Sequence, residues 1–291
     1  MIRTSRAHLH VAALSHPGMS GKNNEDRFAV LSHTLSADDS TPSLFAVLCD
    51  GIGGHRAGEV AAELAVDHIS HVVAESNGRE PLHIMEEAIH SASEAIAHHS
   101  ASDDEHHGMG ATCACAWVIG DKLHIAFVGD SRIYLLRAGH MRQLTTDHTW
   151  VQEAIEKNII KPEDARDHPN VHVIRRYLGS LKLPEVDFRL KLNDSDNAVQ
   201  AQKNQGAALQ PEDILLLCSD GLTDMVWADE IQKTLQESKN PKAAVQALVA
   251  QANERGGHDN ITVIVVSIPH PRPVEEGKEK KKGIWEWLMG E

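Results

Sequence analysis

The sequence predicts an α+β fold, and three observations support that class. Apolar runs typical of strands occur in blocks, with four short runs between residues 112 and 145. Helical patterns occur in pairs, at 57–74 with 81–99 and at 228–237 with 241–255. Two-residue turns such as Gly120-Asp121 separate the central runs, which favours antiparallel pairing. Blocks of strands and paired helices, without strict alternation, indicate a layered α+β body.

Hydrophobic periodicity and turn residues predict the remaining elements. Further strands are expected at about 8–14, 28–32, 44–49, 186–192, 214–217 and 261–266, and short helices at about 149–158 and 162–166. The polar stretch 193–206 is expected to be a surface insertion. Its acidic start resembles the beginning of a calcium loop but lacks that loop's glycine and final Glu.

A change in composition divides the chain into a body, residues 1–268, and a tail, residues 269–291. The tail begins with alternating prolines, continues with a lysine-rich run and ends with Trp285 and Trp287. A basic segment beside aromatic residues predicts weak docking to an anionic membrane or to a partner's groove. The alternative is a disordered end without a function.

Composition limits the class of protein and its surroundings. The formal net charge is -14, with 42 acids against 28 Lys and Arg, which argues against nucleic acid or an anionic membrane as the main partner of the body. All four cysteines lie in apolar runs, as expected for buried free thiols in a reducing compartment. No signal-peptide pattern and no apolar run of about 20 residues is present. These features predict a cytoplasmic protein.

Acidic residues stand where several predicted strands begin or end. Three apolar runs end at Asp50, Asp130 and Asp220, each followed by a small residue, whereas Asp259 comes directly before a strand. A single Asp at a strand end is more often a turn or cap residue, but four in one chain favour a shared role. Carboxylates in such positions suit coordination of Mg²⁺ or Mn²⁺.

Other chemical signatures in the sequence are ambiguous or absent. The His-rich and acidic stretch 98–107 is compatible with a metal site or with a polar loop. The sequence contains no GxxxxGK[ST], Cys-x5-Arg or HExxH motif, and Asp220 is not followed by Asp two residues later. The hypothesis that is left is a site in which oxygen ligands hold two metal ions and no protein side chain acts as the nucleophile. Such a site activates water and binds a phosphoryl group.

Seven motifs occur in one order along the chain. They are Asn24-Glu25-Asp26, Asp50-Gly51-Ile52-Gly53-Gly54-His55, Gly110-Ala111-Thr112, Gly129-Asp130-Ser131-Arg132, Leu144-Thr145-Thr146-Asp147-His148, Ser219-Asp220-Gly221-Leu222 and Asp259-Asn260. Over about residues 8–268 the chain resembles the metal-dependent Ser/Thr protein phosphatases of type 2C, in their bacterial form. The resemblance implies a four-layer αββα sandwich, with two antiparallel sheets flanked by helix pairs and the metals at one end.

The resemblance also implies roles for individual residues. Asp50 matches the carboxylate that bridges two Mn²⁺ or Mg²⁺ ions, and the Gly51 carbonyl matches a ligand of one. The other implied ligands are Asp220 and Asp259 for the first ion, Glu25 or Asp26 for the second, directly or through water, and Asp130 with Asp220 for a third, weaker ion. Asn260 is expected to support the site, and residues 150–180 resemble the flap that selects substrates.

Two positions concern the substrate. His55 matches a histidine that protonates the leaving alkoxide, although a structural role explains it equally well. Where the family has a phosphate-binding Arg, this chain has Gly21, and the bidentate guanidinium contact is lost. Lys22 is expected to supply a single positive charge instead, whereas Arg27 is expected to face away or to pair with an acid.

The implied activity is hydrolysis of phosphoserine and phosphothreonine in proteins by a metal-activated water, without a phosphoenzyme. The implied partners are phosphoproteins modified by a Ser/Thr kinase, and the implied setting is signalling. The alternative function is a catalytically weak domain of the same fold that acts as a regulatory binding module.

Overall fold

Two antiparallel sheets stack face to face at the centre of the molecule. The computed structural model describes residues 1–53, 57–102, 106–166 and 168–270. In chain order the strands are β1 (Ile2–Arg3), β2 (His10–His16), β3 (Arg27–Thr34), β4 (Pro42–Cys49), β5 (Gly51–Ile52), β6 (Gly110–Ala111), β7 (Cys113–Ile119), β8 (Lys122–Val128), β9 (Arg132–Arg137), β10 (His140–Gln143), β11 (Ala207–Ala208), β12 (Ile214–Cys218) and β13 (Ile261–Ser267). One sheet has the order β1-β3-β4-β7-β8-β11 and the other β10-β9-β12-β13-β2, while β5 and β6 form a small ribbon.

Helix pairs cover the outer faces of both sheets. The helices are α1 (Ala57–Glu75), α2 (Pro81–Ser102), α3 (Trp150–Glu156), α4 (Ala198–Lys203), α5 (Asp220–Thr223), α6 (Ala228–Glu237) and α7 (Pro241–Glu254). α1 and α2 pack on the six-stranded sheet, and α6 and α7 on the five-stranded sheet. No helix in the described ranges is long and apolar enough to cross a membrane.

Alternation along the strands divides the apolar core into three layers. In β4, Phe45 and Val47 face α1 and α2, whereas Leu44 and Leu48 face the opposite sheet. This arrangement follows from the two-residue period of a strand that is covered on both faces. The predicted αββα sandwich is therefore confirmed. All four cysteines are buried and free, as expected.

Three expectations about local structure need correction. The expected strand at 186–192 is a single bridge between Asp187 and Phe127, because the backbone bonds of the following residues go to Ala201 and Leu144 instead of one neighbouring strand. The expected helix at 162–166 is only a 3₁₀ turn, Pro162–Asp164. The surface insertion at 193–206 is largely exposed but contains α4, whose Ala201 is fully buried.

The body and the tail meet just beyond the end of β13, an inner strand of the five-stranded sheet. Ile268 packs against the inter-sheet core, and its backbone N–H donates to the Asp213 carbonyl at 2.9 Å. His270 Nε2 lies 3.0 Å from Glu212 Oε1. Residues 271–291 lie outside the described part, so the division at residue 268 stays a prediction.

Candidate metal centre

The predicted acids lie on loops at one end of the sandwich. Asp26 directly precedes β3 and Asp50 follows β4, its antiparallel neighbour. Asp220 follows β12 and begins α5, whereas Asp259 comes two residues before β13, which pairs antiparallel with β12. The end of β4 therefore lies beside the start of β3, and the end of β12 lies beside the start of β13. This topology brings loops from both sheets to a shared edge. We call Asp26, Asp50, Asp130, Asp220 and Asp259 the acid cluster.

Hydrogen bonds between three motifs hold the backbone of Asp50. Its N–H donates to Thr112 Oγ1 at 3.0 Å, and the Thr112 N–H donates to its carbonyl at 2.8 Å. Thr112 Oγ1 also lies 2.7 Å from Ser131 Oγ. Gly51 pairs with Ala111 in the ribbon of β5 and β6. The residues that flank Asp50 and Asp130 in sequence therefore build one rigid support.

Two glycines allow α1 to begin directly against this support. A Cβ at Gly51 would lie 2.1 Å from the Gly58 carbonyl oxygen, and a Cβ at Gly58 would lie 2.5 Å from Glu25 Oε2. Neither position has room for a side chain. The carboxylate of Glu25 consequently lies against the first turn of α1.

Asn260 connects the loop that carries Glu25 to the strand that carries Asp259. Its Oδ1 accepts a hydrogen bond from the Glu25 N–H at 2.7 Å, and its Nδ2 donates to the carbonyls of Pro17 and Asn23. The Asn260 N–H donates to Asp259 Oδ1 at 2.9 Å. These contacts support the role that the sequence predicts for Asn260.

Two acids of the cluster are buried and have an unpartnered oxygen. Asp26 is 2 % exposed, and burial raises its pKa to about 6 although Ser219 donates to Oδ2. Asp130 is 7 % exposed, and burial followed by the charge of Asp147 raises its pKa to about 6. Among the described residues, no group donates a hydrogen bond to Oδ1 of either acid.

The remaining acids repel one another. Burial, followed by the negative charges of neighbouring acids, holds the pKa of Asp50 and the pKa of Asp220 well above the ordinary range. The neighbours of Asp50 that contribute are Asp26, Asp220, Asp130 and Asp259. Burial and the charge of Asp259 also raise the pKa of Glu25.

The cluster has almost no positive charge of its own. In the described ranges, no arginine or lysine forms an ion pair with Asp26, Asp50, Asp130 or Asp220. Buried carboxylates with free oxygens and no protein cation fit hard divalent cations, which prefer oxygen ligands. Electrostatics and donor chemistry therefore agree with a metal centre.

Within the described residues, one group of three candidate ligand atoms lies within 4.8 Å of one another, and it consists of His172, Asp220 and Asp224. The His-rich stretch 98–107 forms no such group among its described members.

Of the residues expected to contact the substrate, the structure places Lys22 beside the acid cluster. Lys22 is exposed, and its Nζ lies 3.9 Å from Asp259 Oδ2. Gly21 has φ +75°, and a Cβ there would meet no atom within 4 Å. Arg27 pairs with Glu59 at 2.5 Å, which confirms that it binds an acid. His55 lies outside the described residues.

Two residues near the cluster were not predicted. Asp224 and His172 line the same cavity as Asp130 and Asp220. Asp224 follows Asp220 by four residues, which is one helical turn, and this spacing is a signal in the sequence. His172 comes from a segment without regular structure, so spacing gave no indication of it.

Two stacked antiparallel sheets with a cluster of uncompensated acids at one end define a metal-dependent hydrolase of the αββα type. Comparisons with known proteins agree. The family model "Protein phosphatase 2C" matches residues 16–158. The serine/threonine phosphatase stp of Listeria monocytogenes is 34 % identical over 262 residues, which cover 89 % of this chain and 95 % of that relative.

Solved structures show the same likeness. The serine/threonine phosphatase of S. agalactiae matches with a TM-score of 0.77 and 30 % identity, covering 90 % of this chain and 100 % of that one. The catalytic domain of the phosphatase PstP, solved in complex with two manganese ions, matches with a TM-score of 0.72 and 31 % identity over 90 % of this chain and 98 % of that one.

The chain belongs to the protein phosphatase 2C family of metal-dependent serine/threonine phosphatases, in its bacterial form. The family predicted from the motifs is confirmed, and so is the enzyme class, a protein phosphatase. The names of the relatives support the enzyme and not the alternative of a regulatory binding module.

Proposed function

We propose that this chain hydrolyses phosphoserine and phosphothreonine esters in proteins at the acid cluster, with Mn²⁺ or Mg²⁺ bound there. The observation that carries the proposal is the convergence at one end of the sandwich of Asp26, Asp50, Asp130 and Asp220, none of which forms an ion pair with an arginine or lysine of the described ranges. An anionic substrate cannot approach such a cluster unless bound cations first neutralise it.

The acids divide into ligands for neighbouring cations. Every other member of the cluster contributes to the raised pKa of Asp50, which is the candidate ligand shared by two cations. Asp220 and Asp259, with the Gly51 carbonyl, would hold the first cation, and Glu25 or Asp26 would hold the second, directly or through water. Asp130 and Asp220 would hold a third. Divalent cations supply Lewis-acid activation of water and stabilise the phosphoryl charge.

The protein holds these ligands in place before any cation binds. Ser219 donates to Asp26 Oδ2 at 2.7 Å and accepts from the Thr262 N–H at 3.0 Å, so Asp26 is fixed to the start of β13. Thr112 Oγ1 accepts a hydrogen bond from the Asp50 N–H, and the Asn260 N–H donates to Asp259 Oδ1, so both of these acids are also held by neighbouring residues. Such preorganisation lowers the cost of assembling the site.

Lys22 is the proposed contact for the substrate phosphate. It shares a cavity with Asp259 and is exposed, so its ammonium can turn toward an incoming anion. An ammonium gives a point charge without the planar fork of Arg, and binding of the phosphoryl group is correspondingly looser. The proposed role of His55, protonation of the leaving alkoxide, stays a prediction.

Substrates and setting follow from the activity. Phosphoproteins modified by a Ser/Thr kinase are the proposed substrates, in the cytoplasm. Docking through residues 269–291, to a partner or weakly to a membrane, is proposed as an addition that the chemistry does not need. Removal of residues 271–291 keeps the contacts of Ile268 and His270 and should leave turnover of a small phosphoester unchanged.

A phosphate-release assay tests the proposal. Matched peptides with phosphothreonine, phosphoserine or phosphotyrosine are incubated with the chelated protein and then with added Mn²⁺. We expect release from the first two only, and only with the cation. Release without a divalent cation, or no release with it, would contradict the proposed function.

A further inference from the structure

A polar cavity with a volume of about 400 Å³ lies outside the acid cluster, none of whose members lines it. Its walls come from the end of β10, from the loop that leads into α3 with the first turn of that helix, and from the turn at 191–194. Cavities of about 300–1,000 Å³ typically hold small molecules. We call this space the polar cavity, and it is large enough for a small ligand.

Backbone hydrogen bonds fix the walls of the polar cavity. The Lys191 N–H donates to the Leu144 carbonyl at 3.0 Å, which places Lys191 beside the residue that follows β10. The Gln152 N–H donates to Thr149 Oγ1 at 3.2 Å, at the start of α3. Because these bonds join separate parts of the chain, folding forms the cavity without a ligand.

Two positively charged side chains line the polar cavity, and one of them lacks an acidic partner. Lys191 is half-buried, and within the described residues its ammonium forms no ion pair. Arg142 pairs with Asp194, whose side chain is 95 % exposed, so water screens this pair strongly. Acids outnumber Lys and Arg by 42 to 28 in this chain, so the missing partner of Lys191 does not reflect a shortage of acids.

Two buried threonines add hydroxyl groups to the same walls. Thr146 is 3 % exposed, and its Oγ1 has no hydrogen-bond partner among the described residues. Thr145 Oγ1 accepts from the Ile133 N–H at 3.3 Å, which leaves its proton for another acceptor. A buried hydroxyl without a partner is unfavourable and calls for an explanation. Cationic groups and unused hydroxyls together favour a ligand rich in acceptor oxygens.

The polar cavity adjoins the metal centre but is separated from it by two glutamines. Gln152 lines both this cavity and the one that contains Asp130. Gln143 Nε2 donates to Asp147 Oδ1 at 2.7 Å, and Arg132 Nη2 donates to Asp147 Oδ2 at 2.6 Å. Asp147 is therefore already compensated and leaves the positive charge of Lys191 unmatched.

We propose that the polar cavity binds a phosphate group, either inorganic phosphate or a small phosphate monoester, apart from the metal centre. Arg142 supplies a planar fork and Lys191 a point charge, and charged donors form the stronger hydrogen bonds to phosphate oxygens. The inference rests on the proposed function only in the choice of phosphate as the oxyanion, since hydrolysis at the acid cluster releases phosphate beside this cavity.

Equilibrium dialysis with labelled inorganic phosphate and with labelled O-phosphoserine tests the proposal. The full chain is measured with Mn²⁺ bound and again after removal of divalent cations, at about 0.15 M NaCl to screen unspecific attraction. Without cations the acid cluster repels anions, so saturable binding then reports the polar cavity. Wild type is compared with Arg142→Gln, Lys191→Gln and Lys203→Gln. Lys203 is the matched control, because it ends the neighbouring α4, is exposed and does not line the cavity.

We expect wild type and Lys203→Gln to keep one saturable phosphate site after removal of the cations. Binding at that site should weaken at least about tenfold in Arg142→Gln and in Lys191→Gln, because each loses a charged hydrogen bond. Binding of inorganic phosphate alone, or of O-phosphoserine alone, supports the proposal and identifies the source of the phosphate group. Equal binding by wild type and both cavity variants in both conditions would overturn it. A loss in Lys203→Gln as large as in Lys191→Gln would also overturn it, since it would indicate a general effect of charge.

Phosphate release from phosphopeptides separates this inference from the proposed function. Wild type that hydrolyses phosphopeptides, with phosphate binding unaffected by Arg142→Gln and Lys191→Gln, would overturn the inference alone. Wild type that releases no phosphate from phosphopeptides, but whose binding of phosphate without cations is lost in Lys191→Gln, would contradict the proposed function alone.

Discussion

Buried acids in this protein occur in two kinds of surroundings, with and without an arginine partner. Asp213 and Asp187 are nearly inaccessible, and each pairs with an arginine, Arg137 and Arg189, at 2.5 Å. Burial alone would raise the pKa of Asp187, but hydrogen bonds from His148 and Arg189 lower it to about 2. In the acid cluster, equally buried carboxylates have raised pKa values.

The difference shows where the fold supplies its own positive charge and where it does not. Acids that only support loops and strands receive a fixed guanidinium, which satisfies them permanently. Acids of the cluster receive none, so folding leaves negative charge that a diffusible cation can bind. Metal binding and stability are thereby linked in one part of the molecule and independent in the other.

Neutralising one acid of each kind should give the largest difference in activity and in stability. Asp220→Asn removes a ligand and a repulsive charge, so we expect phosphatase activity to fall by at least about a hundredfold while the chelated protein becomes more thermostable. Asp213→Asn should keep the activity and lose about 2 kcal/mol of stability. Steady-state kinetics and thermal unfolding measure both effects. Wild-type rates in Asp220→Asn would refute the assignment of this acid.

Removing the arginine that pairs with a buried acid tests whether that arginine stabilises the fold. Arg137→Leu leaves Asp213 buried and uncompensated, so the free energy of unfolding should fall by about 3 kcal/mol. Mn²⁺ should not restore the loss, because Asp213 lies outside the cluster. Urea unfolding with and without Mn²⁺ measures it, and rescue by the cation would contradict the distinction drawn here.

The pH dependence of stability should reveal the cluster in chelated protein. Asp26 and Asp130 have pKa values raised to about 6, so their protonated forms favour the folded state. Their contribution is complete below about pH 4 and is lost as the pH rises through 6, on the order of 1 kcal/mol per pH unit for each group. Thermal unfolding between pH 5 and 7 should show falling stability without Mn²⁺ and a flatter profile with it. A flat profile in chelated protein would show that burial does not raise the pKa values of these two acids.

The smallest effect is expected at the substrate side. Lys22→Ala should raise KM for p-nitrophenyl phosphate about threefold to tenfold with kcat little changed, because one exposed point charge is lost. Lys122→Ala is the matched control, since Lys122 is similarly exposed and also lies 3.9 Å from an Asp. Gly21→Arg should lower KM, although φ +75° makes that variant less stable. Equal KM values in Lys22→Ala and Lys122→Ala would exclude Lys22 as the phosphate contact.

The layers of the fold could be predicted from the sequence because a strand that is buried on both faces consists of a continuous run of apolar residues. β4 and β13 were evident for that reason, and their flanking acids pointed to the cluster. Residues 186–192 misled the prediction, since their extended backbone bonds to several partners and a period-2 pattern does not reveal how many strands lie beside it.

The parts of the site that the sequence did not predict come from long-range packing. Asp224 could have been found from its spacing to Asp220 on α5. His172 could not, because its place depends on Arg166 reaching the Asp224 carbonyl and on Val173 bonding to Trp150. Contacts across such distances in sequence leave no local pattern.

Titration of chelated protein with Mn²⁺ tests the central claim most directly. Isothermal titration calorimetry measures the number of ions bound per chain, and thermal unfolding of the same samples measures the stabilisation. We predict that wild type binds at least two Mn²⁺ and gains stability, and that Asp220→Asn binds fewer. Wild type that binds no Mn²⁺ at millimolar concentration, or binds it without any gain in stability, would contradict the claim that diffusible cations compensate the acid cluster.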